Sequence, residues 1–284
     1  MNGRKWKYPF LLFPLVLCSI MAWTQNTPAQ TGKEGALTVP EILSKVVARA
    51  KLEKDQRHDE RFYATNHNIS DSYNAKGEVT EHNDRLMKPF LMEGKVFYRV
   101  VEKDGKPLTD DEKKKQVERE GKIRERFKQP PKPTKKEEED FEIDDELMAR
   151  FQFTMIGQEE VDGRKAYVLA FLPKTNVKLP EKKMVDKMIN RLTGKIWVDT
   201  QLYAITKLDI HLTEPTSFYI GLGNLRALDM TLVQAEVAPG VFNAAEQNVS
   251  FEARQLFKTM RMKQHTVSTD YRKKSDLTEA PPLQ

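Results

Sequence analysis

Apolar and polar positions along this chain change period several times, and each change marks an element. Ile42, Leu43, Val46, Val47 and Ala50 recur at helical spacing behind Thr38-Val39-Pro40-Glu41, a capping-box sequence with proline in the first turn. About 39–54 is therefore expected to be an amphipathic helix with one buried stripe. From Arg61 the period drops to two. Strands are expected over 61–73 and 78–86, around the turn Asn74-Ala75-Lys76-Gly77, and over 88–93 and 95–103, around Glu93-Gly94. Residues 150–157 and 165–172 flank Val161-Asp162-Gly163-Arg164, a strong hairpin signal. Lys195-Ile196-Trp197-Val198-Asp199 and 203–213 form the next hairpin, and further strands fall near 216–222, 226–237, 246–257 and 261–272.

Two more helices interrupt this pattern. Pro180 is expected to open one over 180–192, with Met184, Val185, Met188, Ile189 and Leu192 on one face and Gly194 closing it. The other follows the capping box Thr109-Asp110-Asp111-Glu112. Of the 37 residues 110–146, 25 are Asp, Glu, Lys or Arg, and only Val117, Ile123 and Phe127 offer anything to bury in the helical part. Acid-first pairs such as Asp110/Lys114 and Glu118/Lys122 suit a solvated helix over 110–128, each worth about 0.2–0.5 kcal/mol. Pro130, Pro131 and Pro133 stop it, and 134–142 is expected to be disordered. Within the charged insert 109–146, residues 110–142 are expected to bury little, the alternative being a charged docking arm. The sum is a mainly β (α+β) chain: a curved antiparallel sheet forming an open half-barrel, covered by two or three helices.

The ends of the chain set its organisation. Arg4, Lys5 and Lys7 precede an apolar run from Pro9 to Trp23, the layout of a secretory signal peptide, and the run is too short for the roughly 20 residues of a spanning helix. Cleavage is expected after Ala22 or Ala29. The division that follows is signal peptide 1–29, linker 30–37, a half-barrel domain 38–272 and a polar, disordered tail 273–284. Export is expected to place the mature protein in the periplasm, with membrane contact no more than peripheral; the alternative is an uncleaved N-terminal anchor. Losing Arg4, Lys5 and Lys7 lowers the net charge from +5 to +2, so the basic isoelectric point is no footprint of nucleic acid. Lysines are also interleaved with acids, which leaves no single-sign surface for a phosphate backbone. The one cysteine, Cys18, lies in the leader behind Leu17, a poor context for lipid modification, and the mature chain has neither disulfide nor thiolate.

Catalytic signatures are thin. The chain has no G-x-S-x-G elbow, no H-E-x-x-H pair and no G-x-x-x-x-G-K-[ST] loop. Gly221-Leu222-Gly223 begins like a dinucleotide fingerprint, but Arg226 stands where the third glycine belongs, and a β-bulge or close strand approach fits better. His58, His67, His82, His211 and His265 are scattered without ligand spacing. Asp199 and Asp209 fall on paired strands, yet Asp199 precedes Thr200-Gln201 and suits turn capping better than acid–base work. Glu137-Glu138-Glu139-Asp140 lacks the alternation of a calcium loop. Asn68-Ile69-Ser70 and Asn248-Val249-Ser250 fit the N-glycosylation pattern. The expectation is a protein that is not an enzyme, with no catalytic residue, no metal site and no cofactor.

What is present is soft apolar surface. Met184, Val185, Met188, Ile189 and Leu192, with Trp197 following directly, form either ordinary core or the lid and lining of a cavity for a greasy ligand.

Two longer stretches carry a resemblance. Phe97-Tyr98-Arg99-Val100-Val101-Glu102-Lys103-Asp104-Gly105-Lys106-Pro107-Leu108 is one. The other runs from Phe151-Gln152-Phe153 through Gly163-Arg164-Lys165-Ala166-Tyr167-Val168-Leu169 to Gly194-Lys195-Ile196-Trp197-Val198-Asp199. Together, over roughly 40–272, they resemble exported bacterial proteins of the outer-membrane lipoprotein-sorting (LolA/LolB-like) superfamily. That resemblance implies a strongly curved antiparallel sheet closed on one side by helices over an apolar cavity. It also implies a lipid or lipoprotein acyl chain as ligand, or an envelope protein as partner. The alternative is an interaction or sensor module whose barrel is filled by its own side chains. The charged insert is a departure from the best-known carriers.

Overall fold

The computed structural model describes residues 37–55, 62–129, 143–181, 184–218, 223–255 and 258–283. The expected leader, the linker up to 36 and the segment 134–142 lie outside them. Helix α1 (Val39–Asp55) leads into β1 (Phe62–Tyr73), β2 (Val79–Met92), β3 (Lys95–Lys103) and β4 (Lys106–Pro107). Helices α2 (Asp110–Lys128) and α3 (Asp145–Ala149) follow, then β5 (Phe151–Val161), β6 (Arg164–Pro173) and α4 (Met184–Ile189). The chain closes with β7 (Leu192–Asp199), β8 (Ile205–Leu212), β9 (Thr216–Phe218), β10 (Gly223–Ala238), β11 (Val241–Gln255) and β12 (Lys258–Lys273). All twelve strands belong to one antiparallel sheet in the order β4-β3-β2-β1-β12-β11-β10-β8-β7-β6-β5, with β9 beside β10. The sheet is an open, curved half-barrel with helices against it, the fold class expected from the sequence. No helix among the described residues is long and apolar enough to cross a membrane.

Turn chemistry sets much of this register. Glu93-Gly94, Asp104-Gly105 and Asp162-Gly163 each place two successive residues at positive φ, the two-residue hairpin turn whose twist matches its strands. Gly194 behaves otherwise. It does not end a helix but sits within β7, where an added Cβ would lie 1.8 Å from the Asp209 carbonyl oxygen. Among the described residues the expected helix over 180–192 covers Met184–Ile189: Pro180 and Glu181 lie outside it, and the period of two resumes at Leu192.

The expected break between 86 and 88 is absent, and β2 runs through Pro89 as one strand. The last β1–β2 pair is Asn66 with Met87, so Pro89 lies beyond the reach of β1. The tail fills that flank: Leu91 N–H donates to the Thr278 carbonyl (2.9 Å), and Ala280 N–H donates to the Leu91 carbonyl (3.0 Å). Pro89, two residues from Leu91, faces the same flank, where its missing donor breaks no bond to β1. The expectation of a disordered tail is thus corrected. Lys274–Asp276 form a 3-10 turn, Leu277 is buried, and the segment docks as a surrogate strand.

The second correction concerns the insert. The capping box at Thr109 forms as expected, with Glu112 N–H donating to Thr109 Oγ1 and the Glu112 carboxylate accepting from Thr109 N–H. Which face is buried is the reverse of the apolar count: Val117 is 51% exposed, while Gln116 and Glu120 are 6% and 7% exposed. Glu120 accepts from Nε and Nη2 of Arg99 on β3 at 2.7 and 2.6 Å and from Gln116 Nε2 at 2.9 Å. Arg99 also donates to the Pro281 carbonyl at 2.7 Å, which ties β3, α2 and the tail together. The helix is docked by a buried ion pair, which no apolar periodicity could reveal.

Candidate functional site

Strand register turns the sheet's helix-covered face into rows that can be followed from edge to edge. One row reads Arg85, Asn68, Thr266, Gln247, Leu232, Leu208, Ile196, Leu169, Met155. The next reads Asn83, Ser70, Gln264, Val249, Met230, Ile210, Gly194, Phe171, Phe153. The first changes from polar to apolar at the β11–β10 border, and the second one strand earlier, between β12 and β11.

Ile42 and Val46 of α1 cover the apolar half, packing in one core with Leu169, Ile196, Val198, Leu208, Ile210 and their neighbours. Beside it lies a smaller cluster of Met188, Leu225 and Ala253, with Val185, Leu212, Leu228 and Phe251 only partly buried around it. This rim is where apolar surface comes nearest to solvent, and α4 is its cover.

Helix α4 spans six described residues, too few to persist without tertiary contacts. Its anchor is a pair that the sequence reading did not single out: Arg150 at the end of α3 donates to Asp186 at 2.8 Å, both side chains being about 10% exposed. Arg150 also reaches Glu146 (2.9 Å) and Asn190 (3.4 Å), and Asn190 Nδ2 donates to the Pro180 carbonyl (2.7 Å). Burial opposes the charge on Arg150, but the bonds to Asp186 and Glu146 outweigh it and raise its pKa. Arg150 Nε is buried without a hydrogen-bond partner. The one available clue was an acid, Asp186, between Val185 and Met188 on an otherwise apolar helix.

The six residues expected at a ligand site do not stay together. Met188, Ile189 and Leu192 are buried on the helix-covered side, and Val185 lies partly buried beside them. Met184 opens α4, and its side chain lies outside what the structure describes. Trp197 departs from the group. It alternates with Ile196 and Val198 along β7 and so points to the opposite face, packing with Val161, Ala166 and Val168. Its Nε1 donates to Glu159 at 2.7 Å, and the Lys207 ammonium sits 4.4 Å from the ring centroid.

On that outer face the histidines are spread out and engaged by carboxylates: His67 with Asp84 and His82 with Asp71, each at 2.7 Å, and His211 with both Asp229 (2.7 Å) and Asp209 (3.3 Å). His265 Nδ1 bonds Asn248 Oδ1 at 2.6 Å. Among the described residues no three His, Cys, Asp or Glu side chains converge to hold a metal ion. Asp199 takes the capping role expected of it, accepting from the Gln201 and Leu202 N–H groups and from Arg164. Asp209 is not its partner. It lies opposite Lys195 and accepts from Thr231.

No family model matches the chain, and no curated protein matches it. Among solved structures it is similar to an outer membrane lipoprotein-sorting protein domain from Vibrio parahaemolyticus, at 16% identity over 84% of this chain and 92% of that one, with a TM-score of 0.34. It is similar also to a DUF1329 family protein from Desulfovibrio piger (11% identity, 84% and 94% covered, TM-score 0.31). A LolA superfamily protein from Nitrosomonas europaea is a third (11% identity, 87% and 96% covered, TM-score 0.27). At TM-scores this low the likeness supports no functional step, and the chain's own geometry has to carry any reading.

Proposed function

We propose that this is a binding protein of the bacterial periplasm, exported through its leader and acting without catalysis. In this reading it takes an acyl chain of a lipid or lipoprotein at the apolar rim beneath α4. The observation that carries it is the nature of the cover: six described residues, pinned by the Arg150–Asp186 pair, over a cluster whose Leu228 and Phe251 are only partly buried. A helix that short exchanges between docked and released forms more readily than α1, because less apolar surface holds it.

The full burial of Leu169 and Val198 favours a second reading, in which the centre of the barrel is filled and the protein meets an envelope partner through its surface. One titration separates them. With a fluorescent fatty acid and the mature chain from residue 30, the parent is expected to bind saturably. Met188→Glu, which sets a carboxylate against the chain, should bind at least tenfold more weakly at unchanged circular dichroism, a loss of about 1.4 kcal/mol or more. Absence of binding by the parent, or equal binding by both, removes the acyl-chain reading and leaves the filled module.

A further inference from the structure

Strands β1, β2 and β12 are polar on both faces, yet the two faces differ in kind. On the outer face the register brings together the ionisable His67, Asp71, His82, Asp84 and Lys263, interspersed with the apolar Ile69, Leu86 and Val267. On the helix-covered side the same strands carry Asn66, Asn68, Ser70, Asn83, Gln264 and Thr266, all neutral and all half-buried. Most of the ionisable side chains of these strands thus gather on the outer face, and the helix-covered face adds Met87 and Met262 to its amides and hydroxyls. The two charges that enter the neutral rows from β2 are already engaged. Arg85 donates to the Asn83 side-chain carbonyl, and Glu81 accepts from Asn83 Nδ2 at 3.1 Å. Lys103, opposite Arg85 on β3, is paired with Glu112 at 3.0 Å.

Amide and hydroxyl side chains both donate and accept without charge, and so do the hydroxyls of a sugar. Here they are held in place by one another. Asn68 Nδ2 donates to Thr266 Oγ1 at 2.8 Å and Ser268 Oγ to Asn66 Oδ1 at 2.9 Å, while the Asn66 amide bonds the Tyr98 phenol, which leaves the Asn68 carbonyl available. Beside these rows, opposite Pro89, burial pushes the Tyr98 phenol up to about 12, keeping it neutral at any physiological pH. The neutral rows run into the apolar rows roofed by α1, and the row beside them, Ser72, Met262, Phe251 and Leu228, is the one that reaches the rim beneath α4.

We propose that the polar half of this face is a headgroup site, and that it takes the uncharged, hydroxyl-rich headgroup of a sugar-bearing amphiphile. The inference rests on the acyl-chain reading only for where the rest of that amphiphile lies. Three dioctanoyl lipids test it by displacement of the fluorescent fatty acid: one with a glucosyl headgroup, one with phosphatidylglycerol, and dioctanoylglycerol with no headgroup. The glucosyl lipid is expected to displace at a concentration at least tenfold below the other two. In the folded double variant Asn68→Leu, Thr266→Val that ratio should fall to about one. Equal displacement by all three in the parent, or a preference for the phosphate, overturns the headgroup site while leaving the acyl-chain site standing.

A chain-free sugar separates the two readings in the other direction. Millimolar maltose should shift the amide resonances of Asn68, Ser70 and Thr266 even if the fatty acid fails to bind. No shift in those amides overturns the proposal whatever the fatty acid does.

Discussion

The two halves of one sheet face are built on different principles. Across β5, β6, β7, β8 and β10 the face is a close-packed core roofed by α1, with Leu169, Val198 and Ile42 fully buried. Across β1, β2 and β12 it carries amides and hydroxyls, and no helix-borne apolar stripe meets it among the described residues. A sheet ordinarily needs at least one apolar face to be stable. The polar half satisfies this only at its margin, where Met92, Phe97 and Leu277 are buried near the Arg99–Glu120 pair. It is a wing, hydrogen-bonded to the core on one side and clamped by α2 and the tail on the other. The chemistry that differs between the halves is where an amphiphile would find both of its ends.

The clamp is where this contrast breaks most easily. Glu120→Ala would leave the Arg99 guanidinium buried without its carboxylate, and loss of one partner from a buried pair costs about 3–5 kcal/mol. The expected result is a large fall in the unfolding midpoint. Hydrogen exchange should show the loss concentrated in β2 and β3. Exchange spread evenly over β6 and β7 would mean that the wing and the core unfold as one unit and that the division is only chemical.

Equivalent truncations in the two halves sharpen the comparison. Leu169→Ala on β6 is expected to cost about 2–5 kcal/mol, since it empties a fully buried position. Asn68→Ala, in the same row across the sheet, removes one half-buried hydrogen bond and should cost about 0.5–1.5 kcal/mol. Denaturant melts of both variants check the pair. An Asn68→Ala loss as large as that of Leu169→Ala would show that the wing's polar rows are structural, which counts against their standing ready for a ligand.

Much of this was legible beforehand, and the exceptions share a cause. Alternation and turn residues gave the strands because they are local signals: Glu93-Gly94 and Asp162-Gly163 fix a hairpin wherever they occur. The burial of Met188, Ile189 and Leu192 could be anticipated because apolar spacing survives into the fold. Trp197 was misplaced because it was grouped with them by nearness in sequence, when in a strand each step of one residue changes the face. The docking of α2, the Arg150–Asp186 pin and the tail's place beside Leu91 depend on partners 21 to 189 positions away. No local period encodes such pairs. The polar rows could likewise be assembled only once the register placed Asn68 opposite Thr266.

The smallest expected effect tests whether the halves differ on one face only. His82 lies on the outer face of the wing and His211 on the outer face of the apolar half. Each has its pKa raised chiefly by a hydrogen bond to an aspartate, Asp71 and Asp229 respectively. A histidine that holds its proton more tightly when folded stabilises the fold below its unfolded pKa of about 6.5, and that contribution is lost as the pH rises through the higher folded value. Both side chains are about half exposed, so solvent screens the pairs heavily. The parent's midpoint should therefore decline by no more than about 2 °C between pH 6 and pH 8.5 on their account. His82→Asn and His211→Asn should each remove a similar part of that decline, because on the outer face both halves meet water in the same way. If His82→Asn alone removed it, the wing's outer face would carry a stabilising role that its counterpart lacks. The contrast between the halves would then extend through the sheet instead of belonging to the face that continues beneath the helices.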